Sequence, residues 1–258
     1  MRAILNGQVT FGMVNVPVKV YSATEDHDIK FHQVHAADGG QIRYKRTCEQ
    51  CGEVVDYGDI AKAFTEDDQT VIVTDDDLAA LNENRPIEVL EFVPANGIDP
   101  LMYEKAYYLG PDVGKGKTPK AYTLLTQVLK AEEKTAIVQF TLRSKTRLAA
   151  LRVMSGKQDT LVLHTLQWPD EVREAEFDAL DNPPEISDLE LETGKVLVQS
   201  LSAEGFNPDH YRDDYQIQLR ELLDAKLRGE VPVTPGVAEV APDDVSDLLA
   251  KLQASLKK

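Results

Sequence analysis

Polar and apolar residues alternate over much of the first two-thirds of the chain. Val14, Val16, Val18 and Val20 interleave with Asn15, Pro17 and Lys19, the period of a strand with one face in a core. Val9, Phe11 and Met13 alternate in the opposite phase, which predicts a bulge near Gly12–Val14. Residues 87–93 and 106–109 read as shorter strands. Ala136, Val138, Phe140 and Leu142 form one face of a long strand whose other face is Ile137, Gln139, Thr141 and Arg143. Carrying the second parity forward reaches Lys145 and Arg147, so three cations are expected on the solvent face of one sheet. Residues 160–168 are the expected next strand, its antiparallel partner.

Helical periods appear in two places. Thr118 as N-cap and Pro119 at the first helical position predict a helix with Tyr122, Leu125, Val128 and Leu129 on its apolar face. Asp75, Asp76 and Asp77 open a shorter one. After Asn182-Pro183-Pro184 the chain turns helical. A Ser187/Glu190 capping box starts a helix expected to reach Glu204 before Gly205, and a second runs from about Pro208 to Leu227. Residues 229–242 form a Pro/Gly linker. Val245, Leu248, Leu249, Leu252 and Leu256 then give one narrow helical stripe, suited to a partner's groove or to the chain's own core. The organisation expected is an α+β core over 1–182, a helical arm over 183–228, and a linker with a terminal helix over 229–258.

Charge changes the picture. The chain holds 28 Lys/Arg against 44 Asp/Glu, a formal net charge of -16. Yet residues 134–157 contain six cations (Lys134, Arg143, Lys145, Arg147, Arg152, Lys157) and no acid. Fields decay over about 8 Å at physiological salt, so a phosphate backbone feels that local run and not the global sum. Lys115, Lys117 and Lys120 lie nearby in sequence, and Arg43, Lys45 and Arg46 form a second cluster. No aromatic residue interleaves the first run. This points to duplex backbone contact over single-strand stacking, with a merely solvated sheet face as the alternative.

Cys48 and Cys51 form one Cys-x-x-Cys turn before Gly52. A zinc site needs four ligands, and His32 or His35 are the candidates to join them; a reduced turn with two packed thiols is the other reading. Two cysteines suit a reducing compartment, and the N-terminus has no secretory h-region. No apolar run approaches the roughly 20 residues that span a bilayer. Together these give a cytoplasmic expectation with no membrane partner. Helix capping accounts for the Asp75–Asp77 triplet, so a metal-dependent nuclease is not expected, and no hydrolase or phosphate-loop template is present.

Several long stretches resemble the bacterial Ku family: FGMVNVPVKVYSAT (11–24), IRYKRTCEQCG (42–52), KAYTLL (120–125), FTLRSKTRLAALR (140–152), LHTLQWPDEVR (163–173) and FNPDHYRDDYQIQLRELLDAKL (206–227). The resemblance implies a β-barrel core with bridging strands, closed into a DNA-encircling ring in a homodimer. It implies a non-catalytic, sequence-independent protein that binds double-stranded DNA ends in non-homologous end joining and is associated with the nucleoid. No cofactor is required in that reading, although structural zinc is compatible with it. The resemblance places residues 143–152 in the bridging region on the ring lining, and residues 187–227 against the dimer mate. Residues 243–256 match the segment that recruits an ATP-dependent, multi-domain DNA ligase. The chain ends at Lys257-Lys258 without a lysine-rich tail, so tail-dependent DNA bridging is expected to be weak. A protein-interaction scaffold with a zinc knuckle and no DNA role is the rival from another class.

Overall fold

Leu5–Phe11 (β1) and Val14–Ser22 (β2) pair antiparallel, Phe11 opposite Val14. The residues between them are a two-residue turn and not the expected bulge. Gly12 takes φ 56 at the first turn position, which matches the strand twist and reverses the chain at once. Met13 stands fully exposed at the tip. The structure, a computed structural model, describes residues 1–81, 86–114, 119–142 and 145–230.

Five further strands complete a closed barrel: Ile87–Pro94 (β5), Tyr103–Pro111 (β6), Lys134–Leu142 (β7), Lys145–Met154 (β8) and Thr160–Leu166 (β9). Their order is β1-β2-β6-β9-β8-β7-β5. Six pairings are antiparallel. The closing pair, β1 to β5, is a short parallel seam of Val9↔Ile87 and Thr10↔Glu88. The inward parities supply the core: Val9, Val16, Val18, Val20, Val138, Phe140, Leu151, Leu161 and Leu163 are at most 1% exposed. Each such side chain contributes about 1.5–3 kcal/mol by leaving water.

One end of the barrel is closed by Lys120–Ala131 (α2), whose Leu125 and Leu129 enter the core cluster. Tyr122 donates its hydroxyl hydrogen to the Leu109 carbonyl at 2.6 Å and accepts the Leu161 N–H at 2.9 Å, bridging β6 and β9. Burial pushes its phenol above the ordinary value. Two details differ from the sequence reading. Pro119 occupies the N-cap itself, Thr118 lying outside the described residues. Val128 is half exposed, and Thr126 takes the buried place because its hydroxyl is satisfied by the Tyr122 carbonyl at 2.9 Å.

Between β2 and β5 lies an insertion with a hairpin the periodicity did not reveal, Lys62–Glu66 (β3) with Gln69–Val73 (β4). Its turn is Asp67-Asp68, both at positive φ (45 and 62), the demand of a type I′ turn that Asp tolerates. Asp75–Leu81 (α1) follows. Thr74 caps it, accepting the Asp77 N–H at 3.1 Å while Asp77 accepts the Thr74 N–H, and the acidic triplet fills the first turn of the helix. None of the side chains described between Ser22 and Pro86 is buried.

The chain divides after Glu185 into a second compact unit. Its helices are Asp188–Ser200 (α3) and Asp214–Leu227 (α4). Ser187 and Glu190 form the expected capping box. Both helices are shorter than the sequence suggests. Ser200 and Ser202 turn their hydroxyls back onto the Leu197 and Val198 carbonyls and end α3 before Gly205. Residues Pro208–His210 are a separate 3-10 turn, and α4 starts where Asp213 accepts the Gln216 N–H. Residues 245–256, the expected terminal helix, lie outside the described residues.

Candidate nucleic-acid interface

The long strand expected from residue 134 onward is two strands, β7 and β8, and this reorders the basic run. Directly opposed residues of an antiparallel pair point to the same face. Leu142 opposes Lys145 and Phe140 opposes Arg147, so both cations continue the inward parity of the barrel. They surface because the strands end there, at the mouth opposite α2. The expected row of three cations on an outer face is therefore corrected. A count of alternation does not survive a turn, and Arg143 lies outside the described residues. Arg152, five positions on, has the other parity; it sits beside Val162 and points outward.

The remaining candidates are spread further. Lys120 starts α2, at the closed end of the barrel. Lys115 and Lys117 lie outside the described residues, as do Val245, Leu248, Leu249, Leu252 and Leu256. Arg43, Lys45 and Arg46 belong to the insertion, where Arg46 stacks over Tyr57 at 5.2 Å from the ring centroid. Tyr44 is tied to Gln33 through its hydroxyl.

Nine of the sequence-derived cations are described: Arg43, Lys45, Arg46, Lys120, Lys134, Lys145, Arg147, Arg152 and Lys157. Among the described residues, Arg147 alone of these has a carboxylate partner, Glu104 at 3.4 Å. Elsewhere the acid surplus is used: Lys19 pairs with Asp112, Lys62 with Asp75, Lys130 with Asp159 and Lys195 with Glu192. The described cations of the basic clusters, Arg147 apart, are uncompensated, as are Arg2, Lys30, Lys105, Arg173, Arg212 and Lys226 outside them. Beside Arg152, burial and the guanidinium charge hold the His164 imidazole below its ordinary value, so it stays neutral.

Glu104 and its neighbour Lys105 were not legible as site residues. They look like an ordinary polar pair in a strand, and only the β6–β9 register, which jumps between Tyr103 and Ala106, brings both to the mouth.

The cysteines form a hairpin turn. Cys48 donates its N–H to the Glu53 carbonyl and accepts the Gly52 N–H on its own, while Gly52 takes φ 73. The N–H groups of Cys51 and Gln50, with the Cys51 thiol, hold the Cys48 thiol below its usual value. The segment from His35 to Asp38 repeats this turn. His35 bonds Gly40, Gly39 bonds His35, and Gly39 takes φ 74. His35 thus corresponds to Cys48, and Asp38 to Cys51. The two turns are built alike, yet they do not form the expected Cys₂His₂ set within one chain. His35 Nδ1 is engaged by Asp38 at 3.0 Å. Among the described residues, no set of three ligand atoms within 4.8 Å of one another includes either cysteine. The cysteine turn supplies two sulfur ligands of the four zinc requires.

Among the described residues, no helix is long and apolar enough to cross a membrane.

Comparison with known proteins bears directly on this geometry. The family profile described as the Ku70/Ku80 beta-barrel domain matches residues 10–193. The non-homologous end joining protein Ku of Mycolicibacterium smegmatis is 55% identical over 265 residues, covering 100% of this chain and 82% of the relative. The protein of the same name from Mycobacterium tuberculosis strain H37Rv is 56% identical, covering 100% of this chain and 95% of its own length. Protein Ku of Mycobacterium phage Omega is 50% identical, covering 100% and 86%.

Proposed function

The chain belongs to the bacterial Ku family, and from that premise we propose that it is a non-catalytic, sequence-independent clamp on double-stranded DNA ends in non-homologous end joining. One observation carries the physical side of this reading. In a chain with 44 acids and 28 bases, the described cations of the two basic clusters lie without carboxylate partners, Arg147 excepted. Unpaired cations in an acidic protein are a standing attraction for phosphate. The acidic remainder opposes adsorption along intact duplex. Phosphate contact positions without reading sequence, which suits ends of arbitrary sequence.

The clamp works as a homodimer. The insertion from Ala23 to Pro86 carries Phe31, Tyr44, Phe64, Val71 and Ile72 exposed, and a two-stranded hairpin with no core is marginal alone. A second copy is the natural cover, and two such insertions closing over a duplex would give the ring. The tail resemblance adds recruitment of an ATP-dependent DNA ligase through Val245–Leu256. Zinc is not required by this reading.

Competition binding tests it. A labelled linear duplex is challenged with equal masses of closed circular and linear DNA. Competition by linear DNA only is expected. Equal competition by circles would mean an open basic patch and no threading, and absence of duplex binding would favour a protein-interaction scaffold.

A further inference from the structure

The mouth of the barrel is built around a β-bulge. Between Tyr103↔Leu166 and Ala106↔His164, two residues of β6, Glu104 and Lys105, oppose the single residue Thr165 of β9. Thr165 is 2% exposed and faces inward. Its hydroxyl accepts the Lys105 N–H at 3.0 Å and donates to Glu104 Oε2 at 3.2 Å. The same carboxylate oxygen receives Arg147 Nη1 at 3.4 Å from β8. Glu104 is thus fixed from behind by a buried hydroxyl and holds a guanidinium in front. These groups line a cavity of about 370 Å³ with Tyr107 and Lys145. Three cations (Lys105, Lys145, Arg147) face it against one carboxylate, an excess of two positive charges.

We propose that this mouth is a phosphate-binding pocket in which Glu104, set by the bulge and Thr165, is the positioning residue for Arg147. A guanidinium has five N–H donors, and one is spent on Glu104. The remaining donors are fixed in direction, ready for the bidentate grip that phosphate oxygens accept. Lys105 and Lys145 supply the balancing charge. The excess of two matches a phosphate monoester, which carries about −1.5 to −2 at neutral pH. A backbone phosphodiester presents the same oxygens with one charge. The proposal rests on the DNA-end reading for its biological ligand, and the pocket itself can be tested without DNA.

The full chain and its variants R147Q, K145Q, E104Q and T165V are compared, with circular dichroism melting to confirm folding. Binding to blunt duplexes with 5′-phosphate or 5′-hydroxyl ends is followed by anisotropy across a salt series. R147Q and K145Q should each weaken binding and flatten the log–log salt slope by about 0.9. E104Q should flatten the slope like R147Q although it removes a negative charge, and E104Q/R147Q should cost no more than R147Q. T165V should follow E104Q in part. A wild-type preference for 5′-phosphate that R147Q abolishes identifies the terminus as the source. Flattened slopes without such a preference identify the backbone. Tighter binding by E104Q, or unchanged slopes in R147Q and K145Q, would overturn the proposal. Inorganic phosphate is titrated separately, followed by NMR at the Thr165 methyl. If duplex binding fails altogether but phosphate still shifts this signal in wild type and not in R147Q, the end-binding reading falls and the pocket stands. If phosphate shifts nothing in wild type, the pocket falls too.

Discussion

The barrel and the insertion it carries between β2 and β5 solve opposite problems. The barrel encloses its own core: Val18, Phe140, Leu151 and Leu163 are at most 1% exposed, and α2 seals one end. The insertion has fewer apolar residues and buries none of those whose side chains are described, with Phe64 60% and Ile72 64% exposed. The difference is one of closure. Seven strands satisfy each other's backbone and turn one parity inward, whereas a two-stranded hairpin has nothing to turn inward against. The barrel closes on itself within one copy, whereas in the proposed homodimer a second copy covers the insertion.

The strongest way to break this comparison is to cut a large side chain from each region. Phe140→Ala should cost about 3–5 kcal/mol in urea unfolding, because the closed barrel cannot collapse around the void. Phe64→Ala with Ile72→Ala should stay within about 0.5 kcal/mol per site at concentrations where the chain is monomeric. The same pair should shift sedimentation from dimer to monomer. A dimer untouched by it would place the interface elsewhere.

Tyr122→Phe probes the seal between helix and barrel. It leaves the Leu109 carbonyl and the Leu161 N–H without their partner, an expected loss of about 1–3 kcal/mol read by denaturant midpoint. Ser187→Ala removes a cap on α3, in the second unit. Its effect should be about 1 kcal/mol on that helix and nil on barrel amide exchange; a change in barrel protection would show that the two units unfold together.

The smallest expected effect concerns pH. His164 titrates below its ordinary value in the folded barrel, so the unfolded chain binds the proton first as pH falls. Stability should therefore be full above the unfolded histidine value of about 6.5 and decline below it, down to the folded value. His164→Gln should flatten that decline in urea titrations at successive pH values, and an unchanged slope would remove His164 as its source.

Much of this was readable in the chain. Val14 to Val20 marked a strand because alternation is local, and Ser187 with Glu190 marked a helix start because a capping box spans three residues. The cysteine turn was equally plain, since Gly52 follows Cys51. The β3–β4 hairpin was missed because Asp67-Asp68 is a weaker turn signal than Asn-Gly, and its strands show no buried face. The helix ends at Ser200 and Asp213 were misplaced because Ser and Asp compete with the helical backbone only once local geometry lets them.

By itself the sequence determined most of the barrel strands, the capped helices, and the concentration of positive charge in two clusters. Tertiary structure decided where that charge points. The antiparallel register of β7 with β8 resets the parity, so Lys145 and Arg147 follow Phe140 and Leu142 to the barrel mouth while Arg152 faces outward. A bulge on β6 then adds Glu104 and Lys105 opposite Thr165. Turns and bulges each shift a period of two by one, and that shift depends on which strand pairs with which, a fact no local pattern contains.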